Sequence, residues 1–246
     1  MKKNKMQIVG VIPARLSSTR LHEKMLADLG GKPLIAVTAE RASASRAFDR
    51  VIVATDHSRI LEAVQKEGFE AILTDPALPS GTARVAAIAK GIDAEVFVNI
   101  QGDEPLIDGE GLRRVAKAFT DSSVEMATLW FPLDPRDENN PNAVKVISDE
   151  RNNALYFSRS LIPFPRNREN FYPKKHIGVY GYRRTTLLRL VELPPCNTEQ
   201  IESLEQLRAL HHGIKIKMVE ALTDSIGVDT QADLDRVRSI LIKGVS

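Results

Sequence analysis

Apolar runs alternate with stretches of helical spacing through the first half of the chain. Residues 7–12 (QIVGVI), Arg50–Thr55 (RVIVAT), 71–73 and 95–100 (EVFVNI) read as strands. Between and after them, residues 33–45, 58–67, 82–91 and 109–119 carry apolar positions at a period near 3.6 and read as helices. Strands that are apolar along their whole length are buried on both faces, so this alternation predicts βαβ units and a parallel sheet covered by helices. In such sheets ligands bind beyond the carboxyl ends of the strands. That rule singles out two loops, 13–25 after the first strand and 101–106 after EVFVNI.

The pattern changes in the second half. Residues 126–131, 143–147, Ala154–Ser158 and 177–182 read as strands joined by long polar connections, among them 139–142 and the Pro-, Arg- and Asn-rich 163–175. A helix over about 199–211, a strand over 214–219 and a last helix over about 231–242 complete the chain. With no internal repeat and no low-complexity linker, the expectation is one α/β domain spanning 1–246, with a β-rich insertion over roughly 125–185 that serves as a lid or a dimer surface.

Composition narrows the function classes. The formal charge of +2 over 246 residues lacks the basic excess of a general nucleic-acid or membrane-surface binder, but leaves room for a basic site around one anionic ligand. A single cysteine, Cys196, cannot build a disulfide framework and fits a reducing compartment; between Pro195 and Asn197 it reads as a loop bystander. The start, MKKNKMQIVGVIPAR, has a short apolar stretch broken by Pro13 and Arg15, and reads as a first buried strand rather than a targeting segment. No run approaches the roughly 18 apolar residues of a membrane span, so a cytoplasmic protein is expected.

The first loop gathers Arg15, Arg20 and Lys24 with Ser17, Ser18 and Thr19. Charge-assisted donors and short hydroxyls around a turn suit a polyphosphate; a solvated basic loop has the same composition. Neither GxxxxGK[ST] nor GxGxxG occurs. In the second loop, Gly102 lets the backbone turn before the adjacent carboxylates Asp103 and Glu104, an arrangement open to Mg²⁺ and equally to a polar turn closed by Pro105. Asp229 is a third acid: Thr230 and Asp233 suit the cap of the last helix, while Asp229 fits either the cap or a metal. Along 201–210 an apolar stripe passes through Ile201, Leu204, Leu207 and Leu210, with Arg208 on it and Glu205 at its border; the spacing favours an ion pair between those two over a ligand site. Alternation places His176, Gly178, Tyr180 and Tyr182 on one strand face, a polar-aromatic surface suited to a hydroxylated sugar or to a structural histidine. The remaining histidines lack metal-ligand spacing, and no zinc pattern occurs.

In chain order these segments are IPAR at 12–15, STRL at 18–21, ATDH at 54–57, SGT at 80–82, NIQGDEP at 99–105, MATL at 126–129, NPNAVKV at 140–146, ALYFSR at 154–159, HIGVYGY at 176–182, LEQLR at 204–208 and GVDT at 227–230. Together they resemble the 3-deoxy-manno-octulosonate (Kdo) cytidylyltransferases, the CMP-Kdo synthetases, along nearly the whole chain. ALYFSR, HIGVYGY and LEQLR separate that family from sialic-acid-type CMP synthetases. The resemblance implies a Rossmann-like nucleotide-diphosphosugar transferase fold, a homodimer, and transfer of CMP from CTP to Kdo with Mg²⁺, for lipopolysaccharide biosynthesis. It implies that Arg15 and Lys24 hold the CTP phosphates with Arg20 close by. Ala14, Ser80 and Gln101 would help seat the nucleotide, and Asp103 and Asp229 would bind Mg²⁺. Arg159, His176, Tyr180, Glu205 and Gln206 would line the sugar-acid pocket, which moves Asp229 and Glu205 from structural to functional readings.

Two departures stand out. The family pattern Leu-Pro-Gly-Lys is here Leu21-His22-Glu23-Lys24, which removes two backbone-shaping residues and adds a negative charge beside the phosphate loop. The family pattern SGTER is here Ser80-Gly81-Thr82-Ala83-Arg84. They leave open altered nucleotide affinity, reduced activity, the same reaction on 8-amino-3,8-dideoxy-Kdo or another sugar acid, or a non-catalytic nucleotide-binding protein.

Overall fold

The computed structural model of the protein describes residues 6–18 and 21–243. Its first half is the expected alternation: β1 (Ile8–Ala14), α1 (Leu34–Ala44), β2 (Arg50–Thr55), α2 (Ser58–Lys66), β3 (Glu70–Leu73), α3 (Gly81–Gly91), β4 (Val96–Asn99) and α4 (Gly109–Ala118). β1 pairs in parallel with both β2 and β4, and β2 with β3. Period-two alternation sorts β1 onto two cores. Ile8 and Ile12 join Leu34, Ile60, Leu112 and Val115 on one face. Val9 and Val11 join Ile52, Val85, Ile88 and Phe97 on the other.

Then come β5 (Met126–Pro132), β6 (Lys145–Ser148), β7 (Ala154–Ser158), β8 (Lys174–Arg183), α5 (Arg184–Leu190), α6 (Asn197–Glu202), α7 (Gln206–His211), β9 (Ile216–Glu220) and α8 (Gln231–Lys243). The sheet has nine strands, ordered β3-β2-β1-β4-β8-β5-β9, with β6 and β7 off that path. β8 runs antiparallel to β4 and β5, whereas β9 is parallel to β5. Within residues 125–185, then, β5 and β8 belong to the central sheet, and the β6–β7 hairpin stands off it, joined through β8.

Three differences from the sequence reading have local causes. The helix expected over about 199–211 is two short helices, because Ser203 adopts a left-handed conformation (φ 51°, ψ 50°) between them. Ile201, expected on the buried stripe, is therefore largely exposed (74 %), while Leu204 and Leu207 are buried. Helix α5 was not anticipated; its seven residues, RTTLLRL, are too few to show a helical period. Cys196 is no loop bystander: it is buried and N-caps α6, its backbone N–H donating to Glu199.

Candidate active site

β1 sits between β2 and β4, and the order of strands reverses there, so the crevice opens at the carboxyl ends of β1 and β4. Both loops singled out above leave from those ends. Gly102 is needed by space: a Cβ there would stand 3.0 Å from the Pro13 carbonyl oxygen and 3.3 Å from the Met25 sulfur. That close approach brings the turn after β4 against the end of the first loop, which closes as a 3-10 turn over Lys24–Leu26.

There the charged groups meet. The Lys24 Nζ donates to Asp103 Oδ2 at 2.6 Å and to Asp229 Oδ1 at 3.0 Å. Two oxygens so close to one nitrogen lie within reach of a single cation, although the acids are far apart in sequence. Asp229 is delivered by the turn before α8. The Val228 N–H donates to the Asp103 carbonyl at 2.9 Å, and Asp233 caps α8 by accepting from the Asp229 and Thr230 N–H groups and the Thr230 hydroxyl. Capping thus accounts for Thr230 and Asp233 and leaves the Asp229 side chain to the crevice. Lys24 is 7 % exposed. Burial alone would lower its pKa; the charge and hydrogen bond of Asp103, then of Asp229, outweigh that and raise it above the ordinary lysine value.

Arg15 leaves the end of β1 in another direction, donating from Nη2 to the Leu78 carbonyl in the loop after β3. The neighbouring Leu16 N–H is held by Asp56 Oδ1 at 3.0 Å. Ala14 ends β1, paired with Thr55 and buried, so only its backbone is available to a ligand. Gln101 donates from Nε2 to the Gly178 carbonyl at 3.0 Å, tying the turn after β4 to β8. Arg20 lies outside the described residues.

Ser80 caps α3, accepting from the Ala83 N–H at 3.1 Å, and its hydroxyl donates to Glu205 Oε1 at 2.9 Å. The Thr82 hydroxyl donates to the other Glu205 oxygen. This corrects the ion pair expected between Glu205 and Arg208. Once the helix breaks at Ser203, Arg208 forks instead onto Glu199 (2.9 and 2.5 Å), and Glu205 turns to the start of α3. Gln206 follows, 6 % exposed, with its Nε2 unpartnered.

On β8, the rings of His176 and Tyr180 lie 5.3 Å apart and those of Tyr180 and Tyr182 6.2 Å apart, so the predicted row forms despite a bulge against β5. His176 is more enclosed than an open sugar platform requires. It contacts the Thr128 hydroxyl at 3.0 Å and packs edge-on against Phe157, and burial pushes its pKa down to about 3, so it is neutral. Burial likewise raises both tyrosines. Arg159 is bound by backbone: its side chain donates to the carbonyls of Glu202 (2.7 Å), Pro141 (2.9 Å) and Ser203 (3.3 Å), bracing the turn before Glu205.

The sequence reading missed two residues that shape this crevice. Asn99, the polar end of the apolar strand EVFVN, is 3 % exposed with an unpartnered Oδ1. That break in an apolar run was the available signal. Arg84 is fully buried; its Nη2 lies 3.8 Å from Asp56 Oδ2 and Nη1 donates to the Thr74 hydroxyl, while Nε and Nη2 have no hydrogen-bond partner. No sequence spacing predicts that position.

Two carboxylates converging on one cation form a hard oxygen set that matches what Mg²⁺ takes from a protein when phosphates and water complete its shell. Among the described residues no larger cluster of His, Cys, Asp and Glu is assembled for a metal. A mostly parallel sheet whose crevice joins cationic groups to such an acid pair defines a Rossmann-like nucleotidyltransferase. The cytidylyltransferase family model matches residues 9–216. A 3-deoxy-manno-octulosonate cytidylyltransferase of Chloroherpeton thalassium is 48% identical over 97% of this chain and 99% of its own. Its counterpart from Chlorobaculum tepidum is 46% identical over 96% of this chain and 97% of its own. The solved structure of a CMP:2-keto-3-deoxy-manno-octonic acid synthetase complexed with CTP superposes with a TM-score of 0.93 at 40% identity, covering 97% of this chain and 99% of that one. The chain belongs to the 3-deoxy-manno-octulosonate cytidylyltransferases. A 4-diphosphocytidyl-2C-methyl-D-erythritol synthase from Anaerococcus prevotii, at 14% identity and a TM-score of 0.65, shares the fold.

Proposed function

We propose that this chain transfers CMP from CTP to the anomeric hydroxyl of 3-deoxy-D-manno-octulosonate, giving CMP-Kdo and pyrophosphate for lipopolysaccharide biosynthesis. The observation that carries the reading is the meeting of Asp103 and Asp229 on the Lys24 ammonium, 2.6 and 3.0 Å away. In the reaction, the sugar hydroxyl attacks the α-phosphorus of CTP in line and the bond to pyrophosphate breaks. Mg²⁺ held by Asp103 and Asp229 supplies Lewis-acid polarisation of the phosphoryl oxygens and of the attacking hydroxyl when bound. Arg15 and Lys24 grip the phosphates and offset negative charge as it grows on the leaving group. The Ala14 backbone, Ser80 at the start of α3, and Gln101 seat the nucleoside. Tyr180, Glu205 and Gln206 bind sugar hydroxyls. His176 packs against the Tyr180 ring, and Arg159 braces the turn carrying Glu205.

The working unit in this reading is a cytoplasmic homodimer. The exposed Leu155, Phe164, Tyr172 and Ile201, on and around the β6–β7 hairpin, support a subunit contact there. Among the described residues no helix is long and apolar enough to cross a membrane.

Mass spectrometry of products after incubation with CTP, Mg²⁺ and Kdo tests the function, with 8-amino-3,8-dideoxy-Kdo alongside. The expected product is CMP-Kdo, and Asp103→Ala should abolish it. Near-normal pyrophosphate release by Asp103→Ala would refute the mechanism. CTP binding without turnover on any sugar acid would refute the function.

A further inference from the structure

The departure at His22-Glu23 has a structural counterpart. Glu23 immediately precedes Lys24 and adopts a left-handed conformation, φ 47° and ψ 38°. That region strains a side-chain-bearing residue and suits glycine, the residue the family pattern carries at this place. Such a conformation persists where its surroundings over-determine it. Here the Glu23 carboxylate is gripped by a guanidinium fork: Arg59 Nη1 donates to Oε1, and Nη2 donates to Oε2 at 2.6 Å. A two-point fork fixes orientation as well as distance.

The fork stands on a rigid base. Arg59 is in the first turn of α2, its N–H is held by His57 Nδ1 at 3.1 Å, and Ile60 and Val64 bury the same helix in the core. On the other side, Glu23 starts the turn that aims Lys24. The Leu26 N–H donates to the Glu23 carbonyl at 2.8 Å, and the Lys24 N–H to the Leu21 carbonyl at 3.2 Å. Glu23 also lines a cavity of about 530 Å³ with Leu16, Ser17, Asp56 and Pro76, beside the loop proposed to take the triphosphate. An uncompensated carboxylate there would repel the nucleotide; Arg59 supplies the opposite charge.

We propose that Arg59 is a positioning residue of the nucleotide site: its fork on Glu23 holds the strained residue before Lys24, replaces the backbone freedom of glycine, and shields the triphosphate from the Glu23 charge. The inference rests on the reading of Lys24 as a phosphate-binding group. An exposed ion pair adds little to global stability, so the effect belongs in nucleotide affinity rather than in the melting temperature.

Calorimetric titration of CTP in Mg²⁺ tests this on five proteins: wild type, Arg59→Met, Arg59→Lys, Glu23→Gly and the Arg59→Met/Glu23→Gly double variant. Arg59→Met should weaken CTP binding about fivefold or more, an effect on the scale of a strong exposed pair. Arg59→Lys should recover only part of it, because a point charge lacks the fork. In the Glu23→Gly background, which tolerates the left-handed turn and carries no charge, Arg59→Met should change affinity by less than about twofold. Melting temperatures should stay close to wild type in the two Arg59 single variants and rise modestly in the two proteins carrying Glu23→Gly, which relieves the left-handed strain. A CTP affinity unchanged in Arg59→Met, or an equal loss with and without Glu23, overturns the proposal. Titration needs no turnover, so a failure of the positioning role is separable from a failure of the catalytic reading.

Discussion

Burial works to lower the Lys24 pKa, and Asp103 and Asp229, both accepting from its one ammonium, outweigh that and raise it. Removing that ammonium should cost activity and unsettle the acids together. Lys24→Met is expected to lower kcat/KM by roughly 10²–10³, the scale of losing one preorganised charge donor, read by pyrophosphate release. It should also lower the melting temperature in chelator, and Mg²⁺ should restore more of that loss than it adds to wild type, since a ligand that binds the folded state stabilises it. Equal Mg²⁺ responses in the two proteins would count against an acid pair that takes the ion. His176 makes a prediction about pH. Burial holds its folded pKa at about 3, below the ordinary 6.5. Between those values the unfolded chain binds a proton that the native state refuses, so this contribution is complete above about pH 6.5 and is lost as pH falls toward 3. Glu104 acts in the opposite sense. Enclosed and accepting from the Ser225 hydroxyl at 2.6 Å, it is pushed up by burial from 4.5 to about 7, so its contribution is full below 4.5 and lost as pH rises through 7. The two slopes oppose each other, so the test is differential: in chelator, His176→Gln should lose less stability than wild type between pH 6.5 and 4. Parallel thermal-melting curves would contradict the buried neutral imidazole.

At the scale of elements, the sequence was most legible where period and burial coincide. Arg50–Thr55 and Ala154–Ser158 were read with their observed bounds, and the parallel core of β1, β2, β3 and β4 followed from strands apolar on both faces. Asp103 was legible as an acid after an apolar strand and Asp229 as an acid before the last helix, but their meeting on Lys24 was not, because the 3-10 turn that carries Lys24 has no periodic signal and the contact joins three segments far apart in sequence. The fork between Arg59 and Glu23 depends on two side chains from separate elements, and nothing in either segment announces it. The segment over 199–211 shows a limit of another kind. Its stripe spans two helices, and one left-handed residue, Ser203, rotates Ile201 to the surface while presenting Glu205 to Ser80 and Thr82. Ser203→Gly should therefore stabilise the protein by about 0.5–1 kcal/mol, relieving the left-handed strain with the turn intact. Denaturant unfolding reads that gain. Destabilisation would mean the serine side chain, rather than the backbone angle, sustains the break.

For the whole molecule, the surface that bears on the proposed subunit contact lies around the β6–β7 hairpin. Leu155 is 57 % exposed, Phe164 84 %, Tyr172 81 % and Ile201 74 %. Glu202 links these parts, accepting from the Ser158 hydroxyl at 2.6 Å and the Arg159 N–H at 2.9 Å, so α6 is fastened beside the end of β7. The same fastening leads through Ser203 to Glu205 and Gln206. A subunit contact over this surface would therefore brace the proposed sugar side of the crevice, whereas the proposed nucleotide side is built on β1, α2 and α3, earlier in the chain. Two consequences can be measured together. Light scattering on the eluting protein should give twice the 27.3 kDa chain mass, and Leu155→Glu combined with Ile201→Glu should shift it to one chain mass, because each buried charge without a partner costs several kcal/mol. The resulting monomer should keep its affinity for CTP within about twofold while its KM for the sugar acid rises about tenfold or more, the scale of losing one or two buried hydrogen bonds. A monomer with unchanged sugar-acid KM would show that the α6–α7 turn holds Glu205 without help, and a wild-type protein at one chain mass would remove the subunit contact altogether.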